Sequence, residues 1–236
     1  MPYDMKAMLL AAGRGARMGR LTDSRPKPLL TVAGHSLIER NLSRLEAAGF
    51  RDVIINLSYL GEQIRDVLED GARFGVKITY SQEPEPPLET AGGIVNALRL
   101  LGEGPFLLIN ADVVTDIDLR AFARRRRSIA LVPNPPHNPS GDFGLTDQGL
   151  VTESKPHLTF SGVSVLDTDM FAGLSPGPRQ LKSVLDDEIA VNALLGWRHD
   201  GFWSDVGTPE RLAAADRLLS RLELKANMLD GSAQPD

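Results

Sequence analysis

Short apolar runs alternate with amphipathic stretches along the first half of the chain. Residues 5–10, Met-Lys-Ala-Met-Leu-Leu, close in Ala11-Ala12-Gly13 and predict a buried strand entering a loop. A helix is predicted over 36–48. Ile38, Leu42 and Leu45 recur at helical spacing, Ser36 with Glu39 forms a capping-box pattern, and Gly49 marks the stop. Residues 53–57 predict the next strand and 60–70 the next helix, with Leu60, Ile64, Val67 and Leu68 on one face. A strand over 76–80, a helix over 92–101 and a strand over 106–110 follow. The strands are apolar runs, as expected when helices cover both faces of a parallel sheet. The pattern therefore predicts an α/β layered domain that binds ligands at the carboxyl ends of its strands.

The second half is less regular. Residues 133–141 carry four prolines and predict a loop. Strand, helix, strand and helix are predicted over 158–166, 181–195, 197–203 and 208–221. The tail after Lys225 lacks a core pattern and is expected to fray. No repeat of fixed period occurs.

Composition narrows the picture. The chain has 236 residues, 42% hydrophobic and 24% charged, with formal net charge −5 and no cysteine. That length is ample for a sizeable core. The missing cysteines exclude a disulfide framework, a thiolate zinc site and a cysteine nucleophile, and agree with a reducing compartment. The acidic balance argues against bulk binding to nucleic acid. Arg124 to Arg127 therefore read as a solvated helix face rather than a nucleic-acid patch. No run approaches the roughly 18 apolar residues that span a bilayer, and the first apolar run is too short for a signal peptide. The expected location is cytoplasmic, with no membrane partner.

The loop after the first strand holds candidate chemistry. It reads Ala11-Ala12-Gly13-Arg14-Gly15-Ala16-Arg17-Met18-Gly19. Glycines let backbone amides approach a polyanion, and Arg14 and Arg17 can add charge-assisted bonds. A plain strand-to-loop turn is the simpler alternative. A dinucleotide fingerprint does not fit: Met18 occupies the third glycine position, and Glu39, the acidic candidate, falls inside a predicted helix. A Walker A loop lacks its Gly-Lys-Ser/Thr ending. Further on, Arg25-Pro26-Lys27-Pro28 sets a lysine between two prolines, which restrict the backbone around it.

Together, Ala11-Ala12-Gly13-x-Gly15-x-Arg17-Met18 and Arg25-Pro26-Lys27-Pro28 resemble the signature of sugar-1-phosphate nucleotidyltransferases. The resemblance runs from about Met5 to Leu219. It implies a Rossmann-like, three-layer nucleotidyltransferase (GT-A-like) fold with a mostly parallel mixed sheet. It also implies one domain over 1–225, divided near 115 into a nucleotide-binding and a sugar-binding half, with 226–236 as a flexible tail. Gln82-Glu83 and Leu88-Glu89-Thr90-Ala91-Gly92-Gly93 resemble the family's base-binding loop, although Glu83 and Glu85 also fit a solvated acidic loop. Ala11, Ala12, Gly13, Gly15, Gln82, Glu83 and Gly92 are thus the expected nucleotide contacts.

Asp112 ends the fourth strand segment and Asp205 precedes Gly207-Thr208-Pro209. Either aspartate could serve a helix N-terminus, as could Asp116 or Asp118. The resemblance makes Asp112 and Asp205 the carboxylates for Mg²⁺, which takes few protein ligands beside phosphate and water. Gly141-Asp142-Phe143-Gly144 resembles a tyrosine–glycine–valine sugar motif, with Phe143 for the tyrosine. Lys155-Pro156 resembles a Glu-Lys-Pro element with Ser154 at the glutamate position and Glu153 one residue earlier. Phe160-Ser161-Gly162 stands at an asparagine–alanine–glycine position. Asn110, Gly141, Asp142, Glu153 and Ser161 are the expected sugar contacts. The shared details are most similar to a uridylyl-transferring subgroup acting on N-acetylmuramate 1-phosphate. Guanylyl- or thymidylyltransferases of mannose or glucose 1-phosphate, and a silent sugar-nucleotide sensor, are the alternatives. The implied chemistry joins a nucleoside triphosphate to a sugar 1-phosphate. Lys27 and Arg17 serve the phosphates with both aspartates, in a monomer or small homo-oligomer.

Overall fold

A computed structural model describes residues 5–230. The first half contains β1 (Ala7–Leu10), a hairpin of β2 (Thr31–Val32) and β3 (His35–Ser36), and α1 (Leu37–Ala48). It continues through β4 (Asp52–Leu57), α2 (Gly61–Leu68), β5 (Lys77–Gln82), α3 (Glu89–Leu101), β6 (Pro105–Asn110) and β7 (Val113–Thr115). The second half contains α4 (Leu119–Phe122), β8 (Ser128–Val132), β9 (Phe143–Leu145), β10 (Val151–Thr152) and β11 (His157–Asp167). It closes with α5 (Leu181–Ala190), β12 (Leu195–Arg198), β13 (Trp203–Asp205) and α6 (Pro209–Asp230).

One nine-stranded sheet organises the molecule, in the order β10-β9-β11-β6-β1-β4-β5 with β8 beside β11 and β12 beside β8. β6, β1, β4 and β5 run parallel. β11 joins β6 antiparallel, so the sheet turns mixed where the second half begins. The expected fold class, with its mostly parallel core strands, is observed.

The strand period explains the three layers. Ala7 and Leu9, Val53 and Ile55, and Leu107 and Ile109 pack on one face with Ile38, Leu42 and Leu45 of α1. Met8, Ile54, Phe106 and Leu108 face the other side and meet Ala91, Ile94 and Ala97 of α3. Both faces are buried, which is why these strands show no polar alternation. A smaller cluster of Met18, Val32, Leu37, Val114, Val206 and Ala215 fastens α6 to the β2 and β7 region.

The predicted capping box of α1 is present. The Ser36 hydroxyl accepts from the Glu39 amide at 3.3 Å, and the Glu39 carboxylate accepts from the Ser36 amide at 3.1 Å. Gly49 ends the helix with φ 98°. Among the described residues no helix is long and apolar enough to cross a membrane.

Five expectations change. The strand predicted over 197–203 is two strands: β12 pairs with β8 and β13 with β7, and a bend over Asp200 and Gly201 carries the chain between sheets. The helix predicted over 181–195 ends at Ala190, because Asn192 takes φ 53° and the chain then enters β12. Val67, assigned to a buried face, is 38% exposed. Arg124 to Arg127 do not lie on a helix, because α4 stops at Phe122; Arg124 to Arg126 are exposed as expected, although Arg126 pairs with Asp167 at 2.7 Å, and Arg127 is half-buried, pairing with Asp169 and Glu188, each at 2.6 Å. The last helix continues past Lys225 to Asp230, and residues 231–236 of the expected tail lie outside the described residues.

Candidate active site

A cavity of about 380 Å³ opens at the carboxyl ends of β1 and β6. This is where an open α/β sheet offers ligands a crevice. Ala11, Ala12, Gly13, Gly15, Arg17, Lys27, Asn110 and Asp112 all line it, so the predicted loop, lysine and first aspartate come together.

Local sequence explains the meeting. Gly15 adopts φ 68°, and a β-carbon there would stand 3.0 Å from Lys27 Cβ. Its absence lets the lysine stem lie against the loop. Pro26 is extended and Pro28 follows Lys27 in a 3-10 turn, Lys27–Leu29, closed by the Leu30 amide on the Lys27 carbonyl at 3.0 Å. Lys27 is buried, and its ammonium forms an ion pair with Asp112. A buried ammonium requires such a partner.

Asp112 is held from two directions. Asn41, buried on α1, donates to the carbonyls of Ala111 and Val113 at 3.3 and 3.2 Å, one on each side of it. The Val206 amide donates to the Asp112 carbonyl at 2.9 Å. β13 pairs antiparallel with β7, which sets Asp205 opposite Val113. Asp112, in the turn just before β7, and Asp205, on β13, are therefore brought close although distant in sequence. Asp205 Oδ1 lies 3.0 Å from His137 Nε2 and 3.2 Å from Arg211 Nη1. It is nonetheless a buried oxygen without a hydrogen bond of proper geometry.

That spare oxygen bears on metal binding. Among the described residues no group of three or more histidine or acidic side chains could hold an ion. Two carboxylates, one in the turn before β7 and one on β13, still fit Mg²⁺, whose shell is completed by phosphate oxygens and water. The donors are hard oxygens, as that ion requires.

A polar relay ties the glycine-rich loop after β1 to the loop after β5. The Ala11 amide donates to Asn56 Oδ1 at 2.7 Å, and Asn56 Nδ2 donates to Glu83 Oε1 at 2.6 Å. Glu83 Oε2 accepts from the Leu88 amide at 2.9 Å. Glu83 lines the cavity, but both its oxygens serve this relay. Gln82 is exposed, donates to the Glu83 carbonyl at 3.2 Å and does not line the cavity. Gly92 serves packing: its β-carbon would stand 2.3 Å from the Gly177 carbonyl. Gly93 instead faces the relay, where a β-carbon would stand 2.4 Å from Glu83 Oε1.

A second cavity of about 450 Å³ shares Glu89, Thr90 and Asn110 with the first and adds Phe160, Gln180 and Lys182. Of the five expected sugar contacts, only Asn110 lines either cavity. Gly141 takes φ 65° against Asn134 and His157. The Asp142 carboxylate accepts from the Phe160 amide at 2.8 Å and from Asn138 at 3.2 Å. Glu153 is exposed, with its carbonyl 2.8 Å from His157 Nε2. Ser161 is fully buried, and its hydroxyl accepts from the Val163 amide at 3.2 Å. These side chains hold their own loops and strand.

Sequence reasoning missed Asn41, Asn56 and Arg211, and placed Glu89 and Gly93 in the base-binding loop without naming them as contacts. Asn56 carries a readable signal, a polar residue inside the apolar run Val53–Leu57. Glu89 lines both cavities with φ 57°, an uncommon conformation for a residue other than glycine. Arg14 leaves the cavity and stacks its guanidinium 5.3 Å from the Tyr59 ring centre.

Known proteins match most of the chain. Residues 6–221 match the model of the family described as nucleotidyl transferase. N-acetylmuramate alpha-1-phosphate uridylyltransferase of Neisseria meningitidis is 50% identical, over 91% of this chain and 98% of its own length. The protein of that name from Caulobacter vibrioides is 34% identical over 90% of this chain and 96% of its own length. A Bacillus anthracis structure assigned as a glucose-1-phosphate thymidylyltransferase superposes with TM-score 0.82 at 20% identity, over 92% of this chain and 95% of its own, which speaks for the fold. The resemblance in the two early motifs is thereby borne out: the chain belongs to the nucleotidyl transferase family, among its sugar-1-phosphate nucleotidyltransferases.

Proposed function

We propose that the enzyme transfers UMP from UTP to N-acetylmuramate 1-phosphate, releasing pyrophosphate. The observation that carries this is the meeting of the glycine-rich loop, Lys27 and Asp112 at one cavity, with Asp205 set on β13 two residues before the cavity residue Gly207, in a chain half identical to a full-length uridylyltransferase. We read 1–225 as one domain, with residues up to about 115 serving the nucleotide and the remainder the sugar.

The acceptor phosphate oxygen attacks the α-phosphorus in line. It is already an anion, so no side chain must remove a proton. The barrier lies in bringing two polyanions together, and positioning and charge neutralisation lower it. The amides of Ala11 to Gly15 and the Arg17 guanidinium receive the leaving pyrophosphate. Lys27 turns from Asp112 toward the charge that develops at the α-phosphoryl group. Asp112 and Asp205 would hold Mg²⁺, which supplies Lewis-acid neutralisation of the phosphates when bound. Glu83 keeps the base-side wall in register with the phosphate loop through Asn56.

The partners in this reading are the two small substrates, without nucleic acid or membrane, in a cytoplasmic monomer or small homo-oligomer that recycles cell-wall sugar. A matrix of UTP, GTP, dTTP and CTP against N-acetylmuramate, glucose and mannose 1-phosphates, read by pyrophosphate release with Mg²⁺, tests it. UTP with N-acetylmuramate 1-phosphate should lead by at least tenfold in kcat/KM. A lead for GTP with mannose 1-phosphate or dTTP with glucose 1-phosphate overturns the substrate assignment. Nucleotide binding with no release for any pair identifies a sensor instead.

A further inference from the structure

Arg211 stands in the first turn of α6, and its side chain folds back over Gly207, a residue of the phosphate cavity wall. A β-carbon at Gly207 would stand 2.0 Å from Arg211 Nη2 and 3.5 Å from Arg17 Nη2. Two guanidiniums thus converge above one glycine, in space that only the missing side chain leaves open. Arg17 makes no hydrogen bond or ion pair among the described residues. Arg211 Nη1 lies 3.2 Å from Asp205 Oδ1, while its Nε is buried with no hydrogen-bond partner.

Such an arrangement is costly without an anion. Like charges repel, and a buried donor without an acceptor forfeits its hydration. A phosphate group between the guanidiniums converts the repulsion to attraction and accepts several charge-assisted bonds. Asp205 alone does not balance both cations, because it also faces His137.

We propose that Arg211 and Arg17 form a fork over Gly207 that grips the pyrophosphate end of the nucleoside triphosphate. Arg211 is then a phosphate-binding residue of the transfer, and its contact with Asp205 links the grip to the second carboxylate. Gly207 is required because any side chain there displaces the guanidinium. The proposal rests on the uridylyl-transfer reading for the identity of the anion. Shared phosphate chemistry leaves the sugar phosphate as the competing source.

The test is calorimetric titration of the full chain with inorganic pyrophosphate and, separately, with N-acetylmuramate 1-phosphate, both with Mg²⁺. Arg211→Ala should weaken pyrophosphate roughly tenfold or more, the loss typical of a hydrogen bond to a charged group, and change the sugar phosphate by less than about twofold. Arg211→Lys should recover only part of the affinity, since an ammonium offers no fork. Gly207→Ala should also weaken pyrophosphate, although it removes no charge. The Arg17→Ala, Arg211→Ala pair should be non-additive, as for groups gripping one ligand. Parent-like pyrophosphate affinity in Arg211→Ala overturns the fork, and so do equal losses for both ligands. If Arg211→Ala does not fold, Arg211→Lys and Gly207→Ala decide by the same criterion. A parent chain that releases pyrophosphate from no nucleotide overturns the proposed function, whereas active parent protein with unaffected variants overturns the fork alone.

Discussion

The two halves of the molecule use their motifs in opposite ways. In the first half, Gly13, Gly15, Arg17 and Lys27 line the cavity directly. In the second half, Asp142 and Ser161 are engaged in holding local backbone, and what lines the cavity is Gly207, with Arg211 over it and Asp205 and His137 in contact beyond. Strand direction accounts for the difference. β1, β4, β5 and β6 run parallel, so their exit loops emerge on one edge. β11 runs antiparallel to β6, β8 and β9, so its exit loop leaves from the opposite end, while β8 and β12 run parallel to each other and point the same way as β6; only some loops of this half therefore arrive at the crevice. A polar motif in a parallel half is thus a good guide to the crevice, whereas in a mixed half it must first be tested for local bonding.

The sharpest way to break this comparison is at Lys27. Lys27→Ala should lower pyrophosphate release about 10²–10³-fold, the usual loss for one electrostatic contact to a transition state, while circular dichroism still reports a folded chain. Asp205→Ala should lose a similar factor, since the second half reaches the chemistry there. A loss under tenfold in both would remove the first half's claim to the reaction. Asn56→Ala should come next. It leaves the Ala11 amide and Glu83 Oε1 without their partner and should cost about 1–3 kcal/mol in urea unfolding, with a higher KM for UTP. A smaller effect is expected for Asp142→Ala, which frees the Phe160 amide and Asn138. It should raise KM for the sugar phosphate about fivefold, the equivalent of one net hydrogen bond, with KM for UTP unchanged. An equal rise for both substrates would erase the distinction between the halves. Gln82→Ala should change either KM by no more than about twofold, as for an exposed residue outside the cavity.

Much of the fold was legible because local and global signals agree in the first half. Ser36, Glu39 and Gly49 state the limits of α1 in short-range chemistry that tertiary packing does not override. The break between β12 and β13 was not legible, since an apolar run does not say which sheet will take it. Within the candidate site, Gly15 and Lys27 were readable from their spacing and their prolines. Asn41 and Arg211 were not, because each acts through space on a segment far along the chain. Gly92 misled for a related reason: the glycine pair announces a close approach but not which glycine meets which neighbour. Gly92 meets the Gly177 carbonyl and Gly93 meets Glu83.

The pairing of β7 with β13 has a consequence for the order in which a newly made chain gains competence. Every residue of the phosphate loop, together with Lys27, Asn56 and Asp112, leaves the ribosome long before Asp205 does. A chain halted near Arg198 holds most of the nucleotide wall and only one of the two carboxylates. Synthesis of one last short strand and the first turn of α6 brings in the second aspartate, Gly207 and Arg211 together. Closure of that strand pair, together with the approach of Gly207 to Arg17, is thus a late as well as a long-range step, so turnover begins only when translation has passed the strand that completes it.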